Sequence, residues 1–500
     1  MPKPKSFLKE TKSKKKASQQ QAPRTADEFL AVGVEQEEAG EKWRAGDAAK
    51  SLRFFMRAIT TYDEGLQRHP NTFDLAYNKA RVQYEITQHP RLAAQLSTTL
   101  GEMLRVALQS HREALQLEQD NADAIFNTAQ VLTSLAETAT ETKRPVEEQL
   151  NQAVKFLQEA IELFQRCLVL QELRYTEIQD EIRRMEAGQP GEMQDMQRAQ
   201  AEEAKMQDQQ ELEPAEQEQW AAVVEPVTKD TLVDTAVAQL DALATLCNLL
   251  TYDPGVGLNW VEEYSNELLQ GKISVHVQGS NRQYEAALAR AKFHSALNEV
   301  LYRSGRTDVE TYYGAVLSSF GPDLDISSDP EGLCSKADAL VSFNTATTEQ
   351  PPEDPEAFGK AIGLKWQALS AAVDALTKAS KLPDAENLPK IHLARGDAEM
   401  SRWRLGFTPW EYLMSQQNGV ILLRNAQTYY RGAAALARRD GGVDEERDGT
   451  CKEAIAAAIE GQTDKLSQLK TTAPKELLVV AEDMVEDGWV TGPDMEALLS

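Results

Sequence analysis

The sequence predicts an all-α fold, a solenoid of helical hairpins, and three observations predict it. First, a small residue, a bulky residue four positions on and a small residue three further recur as Ala58/Tyr62/Gly65, Ala107/His111/Ala114 and Ala153/Leu157/Ala160. Small residues at that spacing let two helices cross closely. Second, runs of Val, Ile and Thr with period-two alternation are nearly absent, KISVHVQ (272–278) being the one tempting exception. Third, 500 residues exceed a single compact core and suit an array in which each hairpin touches only its neighbours.

Taken in order, residues 1–25 form a basic tail whose lysine-rich, apolar-poor composition predicts disorder. Residues 26–184 carry the clearest repeats. Gly46-Asp47 marks the turn of a first hairpin, and Ser51, Phe55 and Ala58 mark the packing face of its second helix. His89-Pro90 breaks the chain before a helix over about 91–118, and a third hairpin is expected to pair 122–139 with a long helix from 145 to about 183. Residues 185–219, with ten acidic residues, two basic ones, nine glutamines and four methionines, read as an acidic, low-complexity insertion. A second helical region follows over 220–440, where Ala372/Leu376/Ala379 and Ala426/Tyr430/Ala433 repeat the triplet. Within it, TATTEQPPEDPEAFG (345–359) reads as a linker, because Pro351, Pro352 and Pro355 prevent a helix across it. Gly441-Gly442 sets off a C-terminal helical segment, 441–500.

Over about residues 32–165 the spacing resembles the tetratricopeptide repeat (TPR) family. LEQDNADAIFNTAQ (117–130) is similar to the family's inter-repeat joint, with Gln119 where proline is usual, and EEAGEKWRAGDAAKSLRFFMRAI (37–59) resembles a first repeat. The resemblance implies a protein-binding array whose inner helices line a concave groove. Carried over residue by residue, the groove positions are Gln36, Gly40 and Trp43; Asp74, Tyr77, Arg81 and Tyr84; and Asp123, Phe126, Gln130 and Thr133. Aromatics flanked by carboxylates would suit a segment carrying Lys or Arg. Co-chaperones of the family hold the C-terminal carboxylate of Hsp70 or Hsp90 with Lys, Asn and Arg side chains. The corresponding positions here are Gln36, Gly40, Asn78, Asp123 and Asn127; only Asn78 matches, so the resemblance does not extend to that clamp.

No P-loop, GxGxxG after a strand, HExxH, GxSxG or kinase signature occurs, so neither an enzyme nor a cofactor is expected. Cys167, Cys247, Cys334 and Cys451 stand far apart without CxxC or a histidine at ligand spacing, which argues against a zinc site or a disulfide framework and fits a reducing compartment. No apolar run approaches the roughly 20 residues that span a bilayer, so no membrane partner is expected.

Charge is uneven. Residues 1–24 carry eight cations against one carboxylate, a net of +7, which leaves −33 for the remainder of a chain whose formal charge is −26. Such a body repels nucleic acid and attracts basic proteins over a salt-screened range, whereas the tail could touch RNA phosphate. Lys12, Lys14, Lys15 and Lys16 form a cluster that an import receptor could read. The expectation is a nuclear and cytoplasmic adaptor or escort chaperone for a basic protein, a ribosomal protein or a histone in its most concrete form. The alternative is a structural scaffold subunit of a larger assembly.

Overall fold

The computed structural model describes residues 22–140, 145–187, 226–253, 255 and 257–500. Among the described residues every regular element is helical. The chain divides into two compact units, residues 1–246 with 262–286, and residues 247–261 with 287–500.

In the first unit, α1 (Ala26–Arg44) and α2 (Ala48–Arg68) form a hairpin turned at Gly46-Asp47. Thr25 and Glu28 close α1 with reciprocal hydrogen bonds, and the Asp47 carboxylate accepts from the Lys50 amide at 2.8 Å. The amphipathic α2 buries Ser51, Phe55, Ala58, Tyr62 and Gly65, the face the triplet marks. α3 (Phe73–Gln88) packs against α5 (Leu100–Leu117), and α6 (Ala122–Ala139) against α7 (Glu147–Ala187). Successive hairpins are joined by short capped turns; Asn121, for example, accepts from the Ala124 amide at 3.1 Å. The continuous helix expected over 91–118 is interrupted. Pro90 opens the single turn α4 (Pro90–Ala93), the chain leaves the helix, and Thr99 with Glu102 restarts it as α5. Phe29, Phe55, Tyr62, Leu75, Val82 and Ile86 join in one core.

α8 (Lys229–Leu250) packs on α7 within this unit as far as Leu246. The Thr235 hydroxyl donates to Gln171 Oε1 at 2.8 Å and the Gln239 amide to the Ile161 carbonyl at 3.2 Å. By length and composition α8 is apolar enough to cross a membrane, although the sequence shows no long uninterrupted apolar run; its apolar surface is mostly buried inside the protein. α9 (Gly257–Glu267) continues into a π turn, Leu268–Ile273, and one further helical turn at Ser274–His276. KISVHVQ is therefore helical through His276, with Ile273 buried.

The second unit continues from α10 (Gln283–Arg303) through α11 (Val309–Ser319), α12 (Pro330–Glu349), α13 (Pro355–Ala379), α14 (Leu388–Arg404), α15 (Leu413–Asp440) and α16 (Val443–Ile459). Three short helices close the chain, α17 (Asp464–Thr472), α18 (Pro474–Glu486) and α19 (Gly492–Leu499). The proline-rich stretch is a tight joint, with Pro355 opening α13 and the Asp354 carboxylate accepting from the Ala357 amide at 2.9 Å. Compact units thus do not divide at the acidic insertion or at Gly441-Gly442. α8 belongs with α7, and α16 buries Cys451, Ile455 and Ala458 in a core shared with Met400 of α14 and Tyr430 of α15.

Candidate functional site

The inner helices expected to line a groove are α1, α3 and α6. Of the groove positions, Tyr77, Tyr84 and Phe126 retain only 2%, 3% and 1% of their surface, so these rings are core and not a lining open to solvent. The physical reason is how closely α3, α5, α6 and α7 approach. Tyr77 stacks on Phe73 with ring centroids 5.5 Å apart, and its hydroxyl accepts from Asn127 Nδ2 at 2.8 Å. Tyr84 Oη lies 3.1 Å from Ser134 Oγ, and Phe126 meets Phe164 of α7 edge to face at 5.5 Å. Consecutive inner helices touch through the positions that a wider superhelix would leave free. Gln130 is buried with them.

Arg81 is buried as well and belongs to an ion-pair network. It binds Glu37 of α1 and, at 3.2 Å, Glu85; Glu37 also accepts from the Tyr62 hydroxyl at 2.5 Å. Burial works against the guanidinium charge, and Glu37 and Glu85 outweigh it, so Arg81 stays above its ordinary pKa. Truncating such a cation strands two carboxylates, which is why Arg81 is a structural tie between hairpins and not a free recognition group. Trp43 is exposed, but Lys50 of its own hairpin lies 3.2 Å from the centre of its ring.

The accessible positions of the inner helices include several carboxylates. Asp74 is exposed at the start of α3, and crowding together with Glu118 and Asp27 raises its pKa. Asp123 is half-buried at the start of α6. Glu137, half-buried near the end of α6, has its pKa raised to about 7 by burial and by Asp241 of α8, with a hydrogen bond from Thr245 opposing. In the second unit, solvent reaches Asp338 of α12, yet the protein packed around it pushes its carboxyl up to about 6 against the pull of Lys292. Burial, the larger cause in both Glu137 and Asp338, disfavours the charged form, and a cation brought beside such a carboxylate would favour it.

Lys12, Lys14, Lys15 and Lys16 lie outside the described residues, as does the insertion beyond Ala187. Sequence reading did not pick out Glu137, Asp241 or Asp338, which stand in different helices and share no local motif. Among the described residues no group of three His, Cys, Asp or Glu side chains could hold a metal ion.

No family model matches the chain. It is 26% identical over 431 residues to the UPF0656 protein of Schizosaccharomyces pombe, covering 84% of this chain and 86% of that protein. A segment of 87 residues is 31% identical to an uncharacterized protein of Saccharomyces cerevisiae, covering 17% of this chain and 16% of the relative. Among solved structures, a circular tandem repeat protein with novel repeat topology aligns over 93% of this chain and 99% of its own, at 14% identity and a TM-score of 0.26.

Proposed function

We propose that this protein is a non-catalytic adaptor or escort chaperone of the TPR type for a basic protein client, a ribosomal protein or a histone, moving between nucleus and cytoplasm. The observation that carries the reading is the pair Glu137 and Asp241, half-buried carboxylates of α6 and α8, the first raised to about 7 by burial and then by the charge of the second. A client lysine or arginine brought beside them would favour the ionised Glu137 against its burial and against Asp241, and the negative body would speed its approach. Recognition then rests on carboxylates, since the aromatic rings once expected to share the task are buried.

A scaffold role is favoured by a different surface. From Tyr412 to Leu423 the chain has no charged residue, and Leu413, Met414, Val420 and Ile421 are exposed on one side of α15. An apolar patch of that kind suits a subunit contact. Affinity purification at rising ionic strength, followed by mass spectrometry, separates the two. Basic proteins lost as salt rises support escort; partners retained at high salt and lost on Ile421→Asp support the scaffold.

A further inference from the structure

The long helix α7 carries a heptad seam, Leu157, Ile161, Phe164, Leu168, Gln171, Tyr175, Ile178, Ile182 and Met185, with steps alternating between four and three. Its covering ends partway along. The first five are 2% exposed or less, Tyr175 and Ile178 are half-buried, and Ile182 and Met185 are 42% and 72% exposed. The buried part is covered by α6, whose Phe126 meets Phe164, and by α8, which runs antiparallel to α7 as the bonds Gln239 to Ile161 and Thr235 to Gln171 show. One flank is held by Glu172, which accepts from Lys272 and His276, each at 2.8 Å. α8 begins at Lys229, six residues before Thr235 and ten before Gln239, so it starts level with about residues 171 to 177 of α7. α7 continues to Ala187 with the same apolar edge.

We propose that the exposed end of this seam is the docking site for the segment immediately ahead of α8, residues 220–227 of the same chain. Three observations select that occupant. The exposed seam is continuous with the α7–α8 interface, so whatever covers it lies in line with α8. The chain enters α8 from this direction, and residues 188–219 are ample to turn back from Ala187. The sequence there, Trp220-Ala221-Ala222-Val223-Val224-Glu225-Pro226-Val227, places Trp220, Val223, Val224 and Val227 at steps of three and four after a long polar stretch.

The test uses the full-length protein with Cys334→Ser, the other native cysteines being buried. Cysteines are introduced in place of Ile182 and Val224 and joined by a short bis-maleimide; the control pairs Ile182→Cys with Ala201→Cys. The expected result is a monomeric 182–224 crosslink forming at least tenfold faster than the control. Equal rates, or dimers linked through 182, overturn the proposal, the dimers pointing to a second copy on the seam. A second readout is the emission of Trp220, obtained as the difference between the intact protein and Trp220→Phe. It should be blue-shifted, and red-shifted once Ile182→Asp and Met185→Asp are introduced; a solvent-like emission in both contradicts docking.

Discussion

The Tyr430 hydroxyl donates to Asp397 Oδ1 at 2.8 Å, and the same oxygen receives Lys452 at 2.8 Å. The three residues sit on α15, α14 and α16 and tie three consecutive helices together. The first unit repeats the arrangement: Tyr62 of α2 donates to Glu37 of α1, which pairs with Arg81 of α3. In both places the tyrosine ring closely approaches a glycine of the preceding helix, Gly396 or Gly33, where an added β-carbon would overlap the ring.

Gly33→Ala and Gly396→Ala should therefore destabilise. In an exposed helix the same change stabilises by about 1 kcal/mol, whereas overpacking a filled core costs about 1 to 3 kcal/mol. Denaturant titration reads the sign. Unchanged or raised stability in both variants would remove the close crossing from the account.

Truncation of the rings once assigned to a groove is a second check. Tyr77→Ala, Tyr84→Ala and Phe126→Ala should each cost about 3 to 5 kcal/mol, the range for large aromatic deletions in a core. Melting temperatures that stay within a few degrees of the parent, with client capture lost, would instead return these rings to a binding surface.

How much of this was legible in the sequence differs by level. The triplets at Ala58 and Ala426 located the crossing faces, because small residues at fixed helical spacing survive as a local pattern. Their acid and base partners did not show, since Glu37, Arg81, Asp397 and Lys452 come from neighbouring helices at no fixed offset. The groove positions misled for a related reason. Periodicity says which face of α3 or α6 is apolar, and nothing in it says how closely the next inner helix approaches. The break before Thr99 was hidden because residues 94–98 form no proline or glycine signal.

Lys365 is another residue the sequence conceals, since a lysine in a helix reads as surface. It is fully buried, donates to the Asn344 carbonyl at 2.9 Å, to Thr347 Oγ1 at 3.3 Å and to Thr348 Oγ1, and lies 4.2 Å from the centre of the Trp410 ring. Burial lowers its pKa to about 7, against about 10.4 in an unfolded chain. Between those values the unfolded state binds more protons, so this group makes stability rise with pH from about 7 to about 10, with its penalty fully present below 7. Lys365→Met should abolish that rise and be the more stable protein at pH 6. An identical pH profile in parent and variant would show that Lys365 does not titrate there.

Deleting residues 1–20 removes Lys12, Lys14, Lys15 and Lys16, and a fluorescently tagged protein should then shift from nucleus to cytoplasm with its circular dichroism otherwise unchanged. A distribution that stays nuclear refutes import by this tail.

The most direct test of the central claim is the binding of a lysine-rich histone-tail peptide, measured by fluorescence anisotropy at two salt concentrations and across pH 5.5 to 8, with the parent and with Glu137→Gln/Asp241→Asn. Glu137 is neutral below about 7, so affinity for the cationic peptide should rise as pH passes upward through 7. It should fall severalfold between 50 and 200 mM salt, an estimate of roughly that size following from the shortening Debye length. The double variant should bind more weakly and lose the pH dependence. Salt-independent binding, or equal affinity for parent and variant at every pH, would contradict recognition of a basic client by these carboxylates.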